Sequence, residues 1–248
     1  MSHHPHEARS ATRLLLLLAV ALLVAAAVAA APAAAAAPTS TTLTVTAQRT
    51  SVNWGAKAVL NGVLQTTEAP ARPVDGQQVL VQYATSPTAP WTTAATVSNT
   101  AAPYTSGAYT HSWTASRNYY WRMRFVGTAQ WAPATGAFVY IKVKPAIGKP
   151  SCPSSVKHGK KFRVSGTLKP RYPSGSKNVT VKAERYAGGK WKAYKTYRAT
   201  TTNSGSYSKY SVRIAISKKG RYHFYATTAN TSTLSAGRSG YSRSMRVK

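Results

Sequence analysis

Beyond position 37, the residues able to do acid–base, nucleophilic or metal chemistry are His111, His158, His223, Glu68, Asp75, Glu184 and Cys152. Glycoside hydrolysis by paired carboxylates and calcium binding both need Asp and Glu clustered at one site. With 4 Asp plus Glu in 248 residues, the chain has no such cluster in its sequence. A Ser-His-Asp triad is recognised by geometry, not by order, so spacing alone does not remove it. However, no Gly-x-Ser-x-Gly elbow supports one. Cys152 and His158 suggest a thiol nucleophile, but they stand on a Pro-flanked segment, which makes a poor preorganised site. One cysteine with scattered histidines lacks the paired spacing of a zinc site. These residues point to a binding or structural module that is not an enzyme, with no cofactor, no metal and no small-molecule substrate.

The chemistry the chain does have in quantity is cationic. It carries 33 Lys plus Arg, for a formal net charge of +29. Residues 38–144 hold 8 Lys plus Arg and 2 acids, whereas 145–248 hold 23 and 1, which concentrates the field in the second half. Such a charge speeds encounter with polyanions and opposes compactness. The candidate polyanion-binding residues are Arg163, Lys169, Lys182, Lys190, Lys192, Lys195, Arg198, Arg213 and Arg246. Within 190–198, Trp191 and Tyr194 stand among the bases as candidate aromatic contacts, able to stack on bases or sugar rings. Trp191 also reads as a sandwich-packing residue, and this reading is favoured because its counterpart Trp91 stands in the weakly charged half. Glu184, between Lys182 and Arg185, reads as part of a surface charge pair.

The elements that must position these residues are strands. Phe162, Val164 and Leu168 alternate with Arg163, Ser165 and Lys169, and Tyr210, Val212, Ile214 and Ile216 alternate with Ser211, Arg213 and Ala215. That is period two. Alternation places Val179, Val181 and Ala183 inside and sends Lys182, Glu184, Arg163, Lys169, Arg213, Arg246 and Lys248 outward. Turn signals at Asp75-Gly76, Ser106-Gly107, Gly188-Gly189, Ser204-Gly205 and Lys219-Gly220 punctuate the runs. The pattern also repeats. Residues 51–57 answer 155–161, Gly62-Val63-Leu64 answers Gly166-Thr167-Leu168, Trp91 answers Trp191, and Ser106-Gly107-Ala108-Tyr109 answers Ser204-Gly205-Ser206-Tyr207.

Arg9 and Arg13, then an apolar run over 14–30 and small residues up to Ala37, follow the order of a secretory signal peptide. The apolar run is at the lower edge of what spans a bilayer, so a retained anchor is the alternative. His3, His4 and His6 fall in this leader. The expected organisation is a signal peptide over 1–37, one repeat over 38–144, a Pro-containing linker over 145–153 and a strongly basic repeat over 154–248. Cys152, the single cysteine, leaves no internal disulfide; it reads as a half-buried small residue, or as a link between two chains.

The order Gly-x-x-x-x-Leu/Val-x-Gly-x-Leu, then a Val-rich strand, Trp, a Ser-Gly-x-Tyr turn and a strand ending Val-Lys resembles the tandem bacterial Ig-like domains of secreted actinobacterial proteins. The resemblance covers roughly 40–248. It implies an all-β chain of two tandem immunoglobulin-like β-sandwiches, without the Cys-Trp-Cys core of antibody domains. It is nearly silent on function, because this fold hosts many activities. Charge and resemblance together lead to a secreted, extracellular or envelope-associated protein that binds an anionic cell-wall polymer or acidic polysaccharide through its second domain. Extracellular nucleic acid is a further candidate partner, and a cell-surface spacer or adhesin with no polyanion ligand is the alternative.

Overall fold

The computed structural model describes residues 36–99 and 106–248. The expected leader therefore lies almost wholly outside the described residues. Among those residues, no helix is long and apolar enough to cross a membrane.

The described chain is all-β and forms two β-sandwiches. In the first, the strands are β1 Thr41–Ala47, β2 Ser51–Asn53, β3 Lys57–Thr66, β4 Gln78–Ala84, β5 Thr92–Ser98, β6 Ala108–Thr114, β7 Tyr119–Phe125, β8 Ala134–Thr135 and β9 Val139–Lys144. One sheet runs β1-β3-β6 and the other runs β2-β9-β7-β4-β5. In the second, they are β10 Ala146–Ile147, β11 Ser155–Val156, β12 Lys161–Lys169, β13 Val179–Ala187, β14 Lys190–Ser204, β15 Tyr207–Ala215, β16 Gly220–Thr228, β17 Gly237–Arg238 and β18 Met245–Val247. The pairing is the same: β10, β12 and β15 are neighbours, and β11 runs parallel to β18, which leads through β16 and β13 to β14. The long strand β14 joins the two layers, since its first part pairs with β13 and its last part, from Thr200, pairs with β15.

Alternation builds the cores. Val179, Val181 and Ala183 on β13 line the inner face of their sheet together with Tyr222, Phe224 and Ala226 on the neighbouring β16, all at most 2% exposed. Phe162, Val164 and Leu168 on β12 close the layer from the opposite sheet. Tyr222, near the start of β16, donates its hydroxyl to the Lys218 carbonyl at 2.7 Å, the tyrosine-corner bond of immunoglobulin-like sandwiches. The turns also correspond. Gly107, at φ +62°, precedes β6 as Gly205, at φ +57°, precedes β15. A Cβ on Gly107 would collide with the Leu64 carbonyl, and its N–H donates to Asp75 Oδ1 at 2.8 Å. Asp75 is therefore occupied in holding a turn.

The segment 145–153, expected as a linker, is bonded into the second sandwich. Ala146 and Ile147 pair with Lys169 and Leu168, Ser151 bridges Ser165, and the buried Tyr210 hydroxyl donates to the Gly148 carbonyl at 2.9 Å. The prolines bracket the pairing residues without interrupting them. The two sandwiches fall within one compact unit, Thr39–Lys248. The Asn118 N–H donates to the Thr233 carbonyl at 2.7 Å, and the Ser235 N–H donates to the Val143 carbonyl at 2.9 Å, which docks one sandwich on the other through backbone bonds.

Candidate polyanion-binding face

A one-residue bulge sets the site. Ala183 pairs with Lys195, but the next residue, Glu184, pairs with Ala193, which leaves Tyr194 without a partner. Side chains alternate with period two, so one extra residue transfers everything before it on β14 to the other face. Tyr197 and Ala199 point into the sandwich, whereas Trp191 stands on the outer face beside Glu184 and Tyr186. The first sandwich carries the same bulge, between Val81 and Gln82, and it turns Trp91 outward while Ala95 and Val97 pack inward. The packing reading of Trp191 is thus corrected: neither tryptophan belongs to the core.

Both tryptophans cover a polar cross-strand pair. Arg122 lies 4.2 Å from the Trp91 ring centre and donates from Nε to Gln82 Oε1 at 2.9 Å. At the corresponding positions of the second sandwich, His223 Nε2 donates to Glu184 Oε2 at 2.6 Å, with side-chain exposures of 10% and 18%. Trp191 stacks on one face of His223, at 3.8 Å and 14°, and Tyr241 on the other, at 4.0 Å and 25°. Glu184 therefore pairs with His223, not with its sequence neighbours Lys182 or Arg185.

The stack is flanked by cations. Tyr186 meets Trp191 edge-on at 5.2 Å, with Arg221 5.5 Å from the Tyr186 ring centre. At the other end Arg238 lies 4.1 Å from the Tyr225 centre and donates to the Tyr241 hydroxyl at 2.6 Å. Lys182 reaches the same Tyr225 ring at 6.0 Å. Sequence reasoning named His223 only among groups able to do acid–base, nucleophilic or metal chemistry, and missed Tyr186, Arg221, Tyr225, Arg238 and Tyr241. Alternation along β16 carries the signal for His223 and Tyr225, because Tyr222, Phe224 and Ala226, which alternate with them, belong to the core.

The structure divides the nine candidate cations. Lys182, Arg198 and Arg246 share the outer face of the β13 sheet with Trp191. Arg163, Lys169 and Arg213 lie on the outer face of the opposite sheet, where Arg163 stands directly across from Arg213. Lys190 follows the Gly188-Gly189 turn, and Lys192 and Lys195 hang from the exposed edge strand on the side away from Trp191. Tyr194 does not join Trp191, because it packs against the core ring of Tyr222 at 5.2 Å. They do not form one patch.

The remaining chemical candidates stay apart. Burial lowers the pKa of His111, which lies 5.9 Å from Trp113 in a near-parallel stack. Burial pushes the half-buried Cys152 thiol up, and its sulfur faces the Arg243 carbonyl at 3.9 Å; His158 uses its backbone N–H on the Lys248 carbonyl. Among the described residues no group of three or more His, Cys, Asp or Glu could hold a metal ion.

No family model matches the sequence, and no curated protein matches it. Among solved structures, the ICAM-5 D1–D4 ectodomain fragment is similar at 12% identity, with a TM-score of 0.40. The match covers 83% of this chain and 53% of that one, so this chain spans about half the length of the structure it resembles.

Proposed function

We propose that the chain is a secreted, non-enzymatic protein of the bacterial Ig-like repeat type whose second sandwich holds anionic polymers of a cell envelope or its surroundings. The observation that carries this reading is the pairing of like charges. Arg163 stands opposite Arg213 on one face, and Arg221 stands opposite Arg246 on the other. Like charges directly across a ladder destabilise it. The single acid of residues 145–248, Glu184, is committed to His223 and neutralises neither pair. A bound polyanion supplies the missing counter-charge, and release of its counterions makes affinity fall steeply with salt.

The test is retention of the full chain on teichoic-acid-bearing walls, on stripped walls and on DNA beads across a salt series. Retention on native walls that is lost on stripping and on adding salt supports envelope binding. Equal retention on all three means unselective charge, and absence of retention at moderate salt sinks the reading. A second reading, a spacer or adhesin, has its own support in the backbone bonds that dock the two sandwiches and in the paired 145–153 segment, which together suit a stiff spacer. It predicts salt-insensitive protein binding or self-association.

A further inference from the structure

The two outer faces of the second sandwich are not equivalent. The face bearing Arg163 and Arg213 offers cations paired with each other and held by no aromatic ring, whereas the face of β13 and β16 offers cations set against aromatic rings. Arg238 lies against Tyr225 and is tethered to the Tyr241 hydroxyl, and Lys182 converges on the same Tyr225 ring. Because the Tyr241 oxygen accepts from Arg238, its own O–H is free to donate. A guanidinium with uncommitted N–H groups and a hydroxyl therefore stand together beside the Tyr225 ring, the Lys182 ammonium reaches that ring from β13 on the other side of β16, and Glu184, the one acid of residues 145–248, is already held by His223. Tyr241 also walls a cleft of about 460 Å³ whose lining includes Lys149, Pro150, Cys152 and Arg243, adding two cations and no acid.

We propose that Arg238, Lys182 and Tyr241, with the adjoining cleft, form the binding site for a carboxylated sugar ring of an acidic polysaccharide. This rests on the polyanion reading above and names the ligand class. A guanidinium tethered at one N–H presents its remaining fork to a carboxylate, which it matches in two hydrogen bonds. The cleft beside the exposed Tyr241 ring, 41% exposed, gives the apolar face of a pyranose somewhere to lie. A flexible polyol-phosphate chain has no ring to use that surface. Nucleobases would stack on the free faces of Trp191 and Tyr241 without needing the Arg238 fork, so oligo(dT) should not share the dependence on Arg238.

The test uses the full chain and four probes: polygalacturonate, the same polymer with its carboxyls reduced to alcohols, inorganic polyphosphate and oligo(dT). Arg238→Gln is expected to weaken polygalacturonate binding at least tenfold, and Lys182→Gln and Tyr241→Phe about threefold each. Arg163→Gln, on the opposite face, is expected to change it less than twofold. The carboxyl-reduced polymer should not bind, and polyphosphate and oligo(dT) should respond equally to Arg238→Gln and Arg163→Gln. Should Arg238→Gln unfold the domain by circular dichroism, Lys182→Gln and Tyr241→Phe decide alone. If polygalacturonate binds but the two faces respond alike, or if polyphosphate or oligo(dT) shows the same dependence on Arg238, this site is wrong while the polyanion reading survives. If no polyanion binds at any salt, both fall.

Discussion

Trp191→Ala is the perturbation whose outcome the geometry fixes most tightly. The ring stacks on His223 at 3.8 Å and 14° and receives Tyr186 edge-on at 5.2 Å. Aromatic pairs contribute about 0.5–1.5 kcal/mol each beyond area burial, so two contacts give roughly 2 kcal/mol. The ring lies on an outer face and is only half-buried, so little hydrophobic burial adds to this. For a sandwich of this size the loss corresponds to a drop in the melting temperature of roughly 10 °C. The assay is urea and thermal unfolding of the full chain, followed by circular dichroism, with a double-mutant cycle against His223→Ala. The cycle should return a coupling of about 1 kcal/mol for the Trp191–His223 stack, while each variant alone costs more. A destabilisation below about 0.5 kcal/mol with no coupling would mean that Trp191 is free for ligand, and the argument that its ring is occupied would fail.

Three further outcomes follow from single features. Gly107→Ala must hold a positive φ and push a Cβ into the Leu64 carbonyl, so it should cost about 2 kcal/mol or more, whereas Gly159→Ala, at φ +74° with open space around it, should cost about 1 kcal/mol; urea midpoints compare the two. Tyr210→Phe leaves the Gly148 carbonyl without its donor and should cost about 1 kcal/mol, with earlier exchange of the Gly148 amide as the local readout. Burial, and then neighbouring Tyr194 and Tyr222, push the Tyr197 pKa up to about 12. Its neutral form is the one the fold favours, so stability is full below pH 10 and declines as pH rises from 10 towards 12; pH-dependent melting with tyrosinate absorbance at 295 nm follows it, and a flat profile through that window would refute it.

Much of the fold was legible because strands of this kind write burial into every second residue. Phe162, Val164, Leu168, Val179 and Val181 are all buried where alternation put them, and Arg163, Lys169, Arg213 and Arg246 are all exposed. The reading failed where a local rule met a non-local one. The prolines of 145–153 suggested a linker, yet Ala146 and Ile147 lie between them and find hydrogen-bond partners on β12. The core reading of Trp191 rests on its counterpart Trp91 and takes no account of the bulge at Tyr194, where one unpaired residue reverses the facing of all that precede it. Tyr241 comes from a segment with no strand period to announce it, and it reaches His223 only because the chain folds back over β16.

By itself, then, the sequence determined an all-β chain, its two related halves, the cationic weight of the second half and, outside the bulged strands, which residues face water. Those properties are set by residue type and by neighbours two positions away. Tertiary structure alone decided which outward residues share a face. That depends on the sheet each strand joins and on its register: Arg163 and Lys182 are both outward, yet lie on opposite faces. Glu184 and His223 are 39 residues apart and meet only through the pairing of β13 with β16.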